Sequence, residues 1–582
     1  MTASLHQPTL NRRDTEVTVE QESPDANEDG TRQLGGNASS SDDELKKKDL
    51  AGEDGAPGAG ALSQLSDDTE ANKPQSQGEL AQGRQVGTLS ATFLIVNRIV
   101  GTGVFSTTST ILTQSGSVGM SLLYWVIGAI VAFAGFSVYS EFATMMPKNG
   151  GELNYLQHAY RKPRGLAAVM YAAQAFLLGQ AAGNAYSAGQ YFLKAGASNG
   201  RGNASEWPAR AIGVGVLFAA LIMHSTALKW GLRFQNALGT FKLIILTLIA
   251  FSGFAALAGR SVAGTAGTAN FKNAFVGTRG DVFSISNCLY NAIWSYQGYS
   301  NCFYSLGEVQ NPARLMRRAG PLALLVIAAL YVLVQVAYFA AIPLEGVAAS
   351  EQIIAADYFN NMFGGRSRQA LSVFVALSAV ANVFSVVFSQ GRVNQALGRD
   401  GLIPFGKFFA SSRPFNTPMA GLAWHVAMTL IILLAPPPGD TYQLVLALSS
   451  YPLNVVNAAV GLALLATYVP RSWRPEWARD WASPYRASLP VTLFFSLISI
   501  FLCVGPFIPP ERRQDAVYAH LWYALAPVIA LGLLGLGALW WVVRWWALPK
   551  KGGYVLEPVE RTLSDGNVVT AWEKRKVEAV SS

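Results

Sequence analysis

From residue 88 to residue 546 the chain alternates long apolar runs with short polar loops. A helix needs roughly 20 mostly apolar residues to cross a bilayer. Twelve segments reach about that length: 88–113, 118–145, 165–193, 209–228, 233–258, 282–307, 319–343, 369–390, 418–436, 442–468, 488–508 and 519–546. Pro506, Pro509 and Pro510 crowd the end of the eleventh. The pattern predicts an all-α polytopic membrane protein with about twelve transmembrane helices.

Two of these runs are interrupted mid-course. The first reads Asn97-Arg98-Ile99-Val100-Gly101-Thr102-Gly103-Val104-Phe105, with two glycines one residue apart. Each glycine costs about 1 kcal/mol of helix propensity against alanine. Close packing of small residues between helices would explain glycines alone. The sixth reads Trp294-Ser295-Tyr296-Gln297-Gly298-Tyr299-Ser300-Asn301, a polar cluster around one glycine. Paired interruptions at matching places in two halves point to a transporter's binding site. The predicted transporter domain is 85–547, with one inverted five-helix repeat over 85–260, a second over 281–470, and helices eleven and twelve appended over 488–546. Residues 1–84 and 548–582 are left as cytosolic tails.

A break in a buried helix has definite chemistry. The start of the second half-helix exposes amide N–H groups, which favour an anion. The end of the first half exposes carbonyls, which favour an ammonium group. Both together suit a zwitterion such as an α-amino acid. Irregular backbone at that depth is tolerable only beside protein or a water-filled cavity.

Composition and charge agree with a lipid solvent. The chain is 51% hydrophobic and only 14% charged, whereas soluble domains carry about 25% charged residues. The net charge of +8 lies in short loops, so it speaks for positive-inside topology rather than nucleic acid. With a cytosolic N-terminus, inside loops are the richer in Lys and Arg, as at Arg314, Arg317 and Arg318 or Arg471, Arg474, Arg479 and Arg486. The sequon at Asn203 then lies outside and that at Asn37 inside. Trp540, Trp541, Trp545 and Trp546 form an aromatic belt at the inner end of helix twelve, and the C-terminus is cytosolic. No Phe, Trp or Tyr precedes Phe93, so the polar N-terminal tail cannot bury a core. Cys288, Cys302 and Cys503 suggest no disulfide framework and no metal site.

The breaks also carry a resemblance. Gly101-Thr102-Gly103-Val104-Phe105 is similar to the first-helix signature of the amino acid–polyamine–organocation superfamily. Further agreement comes from Glu141 with Pro147-Lys148-Asn149-Gly150-Gly151-Glu152, from Glu308 with Asn311-Pro312, and from Arg399-Asp400-Gly401 with Pro404. The run Trp294–Asn301 resembles the fungal high-affinity methionine permease group, which is related to L-type amino acid transporters. The likeness covers roughly 85–470 well and 471–546 loosely.

The resemblance implies a LeuT-type 5+5 inverted repeat with discontinuous helices one and six. It implies that the Thr102 and Gly103 amides, beside Gly101, hold a substrate carboxylate. The carbonyls of Ile99, Trp294, Ser295 and Gln297 would hold the amine, and Trp294 would also close over the substrate. Gln297 departs from the glycine usual in L-type relatives and narrows the side-chain end of the pocket. Lys242 matches a lysine that replaces a sodium ion and bridges helices one and eight. A buried lysine is costly, which makes Lys242 a candidate for exchanging the coupling proton; snorkelling toward the cytosol is the plainer alternative. No cysteine lies in 194–208, so no disulfide-linked heavy subunit is expected.

Other polar residues in the spans leave alternatives open. Arg98 would meet the substrate carboxylate or pair with Glu141 or Glu308 as an inner gate. Polar stripes run along helix three (Gln180, Asn184, Ser187, Tyr191), helix eight (Ser378, Asn382, Ser385, Ser389) and helix ten (Ser450, Asn454, Asn457). Most would be interhelical glue, with Asn184 and Asn382 facing the cavity. His224 and His425 suit packing better than proton relay, and no cofactor or catalytic constellation is visible.

The sequence therefore predicts a secondary amino acid transporter in the plasma membrane, coupled to protons and importing methionine or another neutral or sulfur amino acid. A permease for another amine (polyamine, choline, GABA) would leave the exposed amides idle. A nutrient sensor of the same fold is the alternative from another class. The Ser39–Lys48 stretch is a candidate for modification and for ubiquitin-ligase adaptors.

Overall fold

The computed structural model describes residues 92, 95–96, 98–147, 150–196, 206–262, 264, 266–309, 311–350, 352–512, 515–563 and 568–576. They belong to one compact unit, Gln75–Ser582. Both sequons, Lys148, Asn149 and the Ser39–Lys48 stretch lie outside the described residues.

Nine described helices are long and apolar enough to cross a membrane: Val118–Met145, Leu166–Gly196, Glu206–Thr226, Ala237–Leu257, Pro312–Ala341, Gly365–Arg399, Thr441–Leu465, Leu489–Phe507 and Leu525–Gly552. The other three predicted spans fall short for visible reasons. The first and sixth are broken, and the ninth, Met419–Leu434, has 16 residues. The protein is a helical, multi-pass membrane protein.

Helix three departs from its predicted continuous form. It runs as Leu166–Leu177 and Ala182–Gly196, with an irregular turn between. Gly179 sits in that turn, where a Cβ would stand 2.6 Å from the Thr429 amide nitrogen. The backbone of the ninth predicted span thus presses against the interruption.

The final span starts at Leu525, six residues later than the sequence suggests. The preceding amides of Ala519, His520 and Leu521 donate to the Asp440 carboxylate at 2.5, 2.8 and 3.0 Å. The carboxylate bends this stretch into a turn ahead of the helix.

Beyond the last helix the expected tail forms a hairpin, β1 (Tyr554–Thr562) and β2 (Val568–Lys576), in antiparallel register with Tyr554 opposite Lys576. Interstrand ion pairs join Arg561 to Glu573 and Arg575 to Glu557. An isolated hairpin is marginal in water. This one docks through Trp572, whose ring meets Trp545 edge-on at 5.5 Å and whose Nε1–H donates to the Asp400 carbonyl at 3.3 Å.

Glu141, fully buried near the end of Val118–Met145, anchors the loop between helices ten and eleven. Its carboxylate accepts from Trp481 Nε1 at 2.9 Å and from the Ala487 amide at 2.8 Å, with Arg486 Nε at 3.8 Å. The Arg98–Glu141 pairing offered by the sequence is therefore not formed, because that carboxylate is occupied by the loop.

Candidate functional site

The first break occupies residues 100–102, and helix resumes at Gly103–Ser106 and Thr108–Ser115. Carbonyls freed at the break are met by side chains from three other helices. Lys242 Nζ donates to the Val100 carbonyl at 2.8 Å. Tyr331 Oη donates to the Ile99 carbonyl at 3.1 Å, and Asn382 Nδ2 to the Arg98 carbonyl at 3.2 Å. Buried backbone groups need partners, and these contacts hold the unwound turn in one shape.

In the sixth span, helix Val282–Tyr296 stops at Gln297, whose ψ of 134° is extended. Gly298 follows at φ 124°, a conformation glycine permits and other residues resist. The chain then winds more tightly through Tyr299–Glu308. The two breaks touch: a Cβ on Gly103 would stand 2.5 Å from Ser295 Oγ and 2.6 Å from Ser295 Cα. The stem of Arg98 crosses Gly298, where a Cβ would stand 2.5 Å from Arg98 Cγ.

Between the breaks lies a small cavity. Its walls combine the first break (Arg98, Ile99, Gly101, Thr102, Gly103), the sixth (Trp294, Gln297) and two helices that supply Asn184 and Asn382. Arg98 Nη1 donates to Asn382 Oδ1 at 3.0 Å, and Thr102 Oγ1 to Asn184 Oδ1 at 3.1 Å. The wall is therefore polar and internally ordered around its amides.

The cavity gathers nearly every residue singled out from sequence for substrate contact. Ser295 stands behind the wall, where its hydroxyl meets Thr107 Oγ1 at 3.2 Å and donates to the Asn291 carbonyl at 2.9 Å. Lys242 lies behind the first break, against Val100. The Glu308 side chain lies outside the described residues. His425 Nε2 stands 3.4 Å from Thr429 Oγ1, and His224 sits against the rings of Phe384 and Phe388; neither is among the residues lining the cavity.

Sequence reasoning missed Tyr331, which fixes the Ile99 carbonyl. It also missed Gln335, whose Oε1 accepts from Thr108 Oγ1 at 2.8 Å. The two lie four residues apart in a strongly apolar helix, a polar pair at helical spacing that would have marked the face turned toward the break.

The sequence profile of amino acid permeases matches residues 86–534. The chain belongs to the amino acid permease family. It is 44% identical over 491 residues to the high-affinity methionine permease of Saccharomyces cerevisiae, covering 84% of each chain. It is 28% identical over 510 residues to the low-affinity methionine permease of the same yeast, covering 85% of this chain and 89% of that one. With the mouse b(0,+)-type amino acid transporter 1 it shares 27% over 451 residues, 75% of this chain and 85% of the other. The permease thus transports amino acids, in line with the reading of its two broken spans.

Proposed function

We propose that this permease imports methionine, together with protons, across the plasma membrane. The observation that carries the reading is the contact of two broken helices around one small polar cavity. Amides of Thr102 and Gly103 would meet a carboxylate, and carbonyls at the end of the sixth span's first segment an ammonium group. Likeness to two methionine permeases supports the side-chain preference. In this reading twelve spans form two inverted five-helix halves plus an appended pair, with both termini cytosolic. Lys242 steadies the first break in place of a metal ion, and Trp294 closes over the bound solute.

Uptake of labelled methionine in permease-null cells, with competition by all twenty amino acids and across external pH, tests the proposal. Saturable methionine uptake that rises as the medium is acidified is expected. Competition led by a non-sulfur amino acid would reassign the substrate, and uptake indifferent to pH would remove the proton.

A further inference from the structure

The loop after helix two clamps the second half of the broken sixth span. The Gly150 amide donates to the Tyr304 carbonyl at 3.2 Å. A Cβ on Gly151, at φ 51°, would stand 3.0 Å from the Tyr304 ring. The next residue, Glu152, opens the short helix Glu152–Ala159 outside the membrane spans and is fully buried. Its Oε1 accepts from Tyr304 Oη at 3.1 Å. Its Oε2 is buried with no hydrogen-bond partner among the described residues.

The titratable groups facing this carboxyl are hydroxyls and a thiol. Helix two brings Tyr139 and helix three Tyr171. The inner half of helix six brings Tyr299, Cys302 and Tyr304, and its own helix Tyr155. Helix ten contributes Asn457, which does not titrate and accepts from Tyr139 Oη at 2.6 Å. On the cavity side of Tyr304 stands Arg98. A carboxylate half deprived of donors is far costlier to bury ionised than neutral. Burial pushes the Glu152 carboxyl up to about 7.

We propose that Glu152 takes up and releases the coupled proton at the inner gate. Neutral, it lets the loop seat on Tyr304 and seals the path below the cavity. Ionised, it requires water, and the loop lifts from helix six. On release the carboxyl O–H bond breaks and the proton passes to cytosolic water. On reloading, a hydronium ion arriving from the cavity side gives its proton to Oε2 and leaves as water, while Tyr304 Oη holds Oε1. The assignment rests on the proton-coupled permease reading.

The test compares the parent with Glu152→Gln and Tyr304→Phe in permease-null cells, matched for surface abundance. Methionine counterflow, net uptake from pH 5 to 8 and methionine-driven alkalinisation of the medium are recorded. Glu152→Gln is expected to keep counterflow within about twofold while net uptake loses its pH response and its proton flux. Tyr304→Phe removes a hydrogen bond that favours the ionised form, so the pH midpoint should move upward. A Glu152→Gln protein with the parent's pH profile and proton flux would overturn the assignment. So would an unmoved midpoint in Tyr304→Phe, which serves if the first variant fails to reach the surface. A parent that takes up methionine without moving protons would overturn the coupled reading and this assignment together.

Discussion

Arg98 ties the two breaks together: its stem lies on Gly298 of the sixth span while its guanidinium donates to Asn382, 3.0 Å away on helix eight. The same residue lines the cavity. Three elements around the site are thus linked through one side chain.

Gly298→Ala should abolish that arrangement. The added methyl would meet Arg98 Cγ at 2.5 Å, and the backbone φ of 124° disfavours any Cβ. At least a tenfold loss of uptake is expected from about 1.4 kcal/mol or more of misplacement. Labelled methionine uptake, normalised to surface protein, checks this.

The other close glycine separates two effects. Gly103→Ala would drive a methyl to 2.6 Å from the Ser295 backbone, where nothing can yield cheaply. Gly183→Ala meets only Val445 and the Trp294 ring at 3.5 and 3.6 Å, ordinary contact. The first variant should lose transport outright. The second should keep its maximal rate and show a shifted KM, because it only reshapes the wall near Trp294. Equal kinetics for the two would contradict the contact between the breaks.

Lys242→Ala leaves the buried Val100 carbonyl without its lysine donor, a loss of about 1–3 kcal/mol at the first break. The variant is expected to reach the surface and lose most uptake. Proton-driven uptake at the parent rate would exclude a coupling role for this residue.

The raised Glu152 carboxyl also has a stability signature. Its pKa moves from 4.5 to about 7 on folding, so the folded state holds that proton more tightly. The resulting stabilisation is complete below pH 4.5, declines between 4.5 and about 7, and is absent above. The thermal midpoint of detergent-solubilised protein should fall over that window, and Glu152→Gln should flatten the fall. Identical slopes for parent and variant would contradict the burial argument.

What was legible in the sequence follows from the length scale of each signal. Spans of about 20 apolar residues are visible locally, and so were the breaks, because glycine and clustered polar residues interrupt helix propensity where they stand. Asn184 and Asn382 were reached through stripes at helical spacing. Glu141 went astray because its donors, Trp481 and Ala487, lie some 340 residues along the chain. Gly179 looks like an ordinary small residue until the Thr429 backbone is set against it. Trp572 gave no sign of docking, since Trp545 and Asp400 are chosen by the fold.

Direct contact between Gly103 and Ser295 bears on how fast the protein can work. Ile99, Thr102, Asn184 and Asn382 are all at most 3% exposed, so among the described residues these parts of the wall are closed off from solvent. Every solute must wait for helices to shift, and collective motions of that kind take microseconds to milliseconds or longer. Throughput is then counted in molecules per conformational round and saturates with concentration.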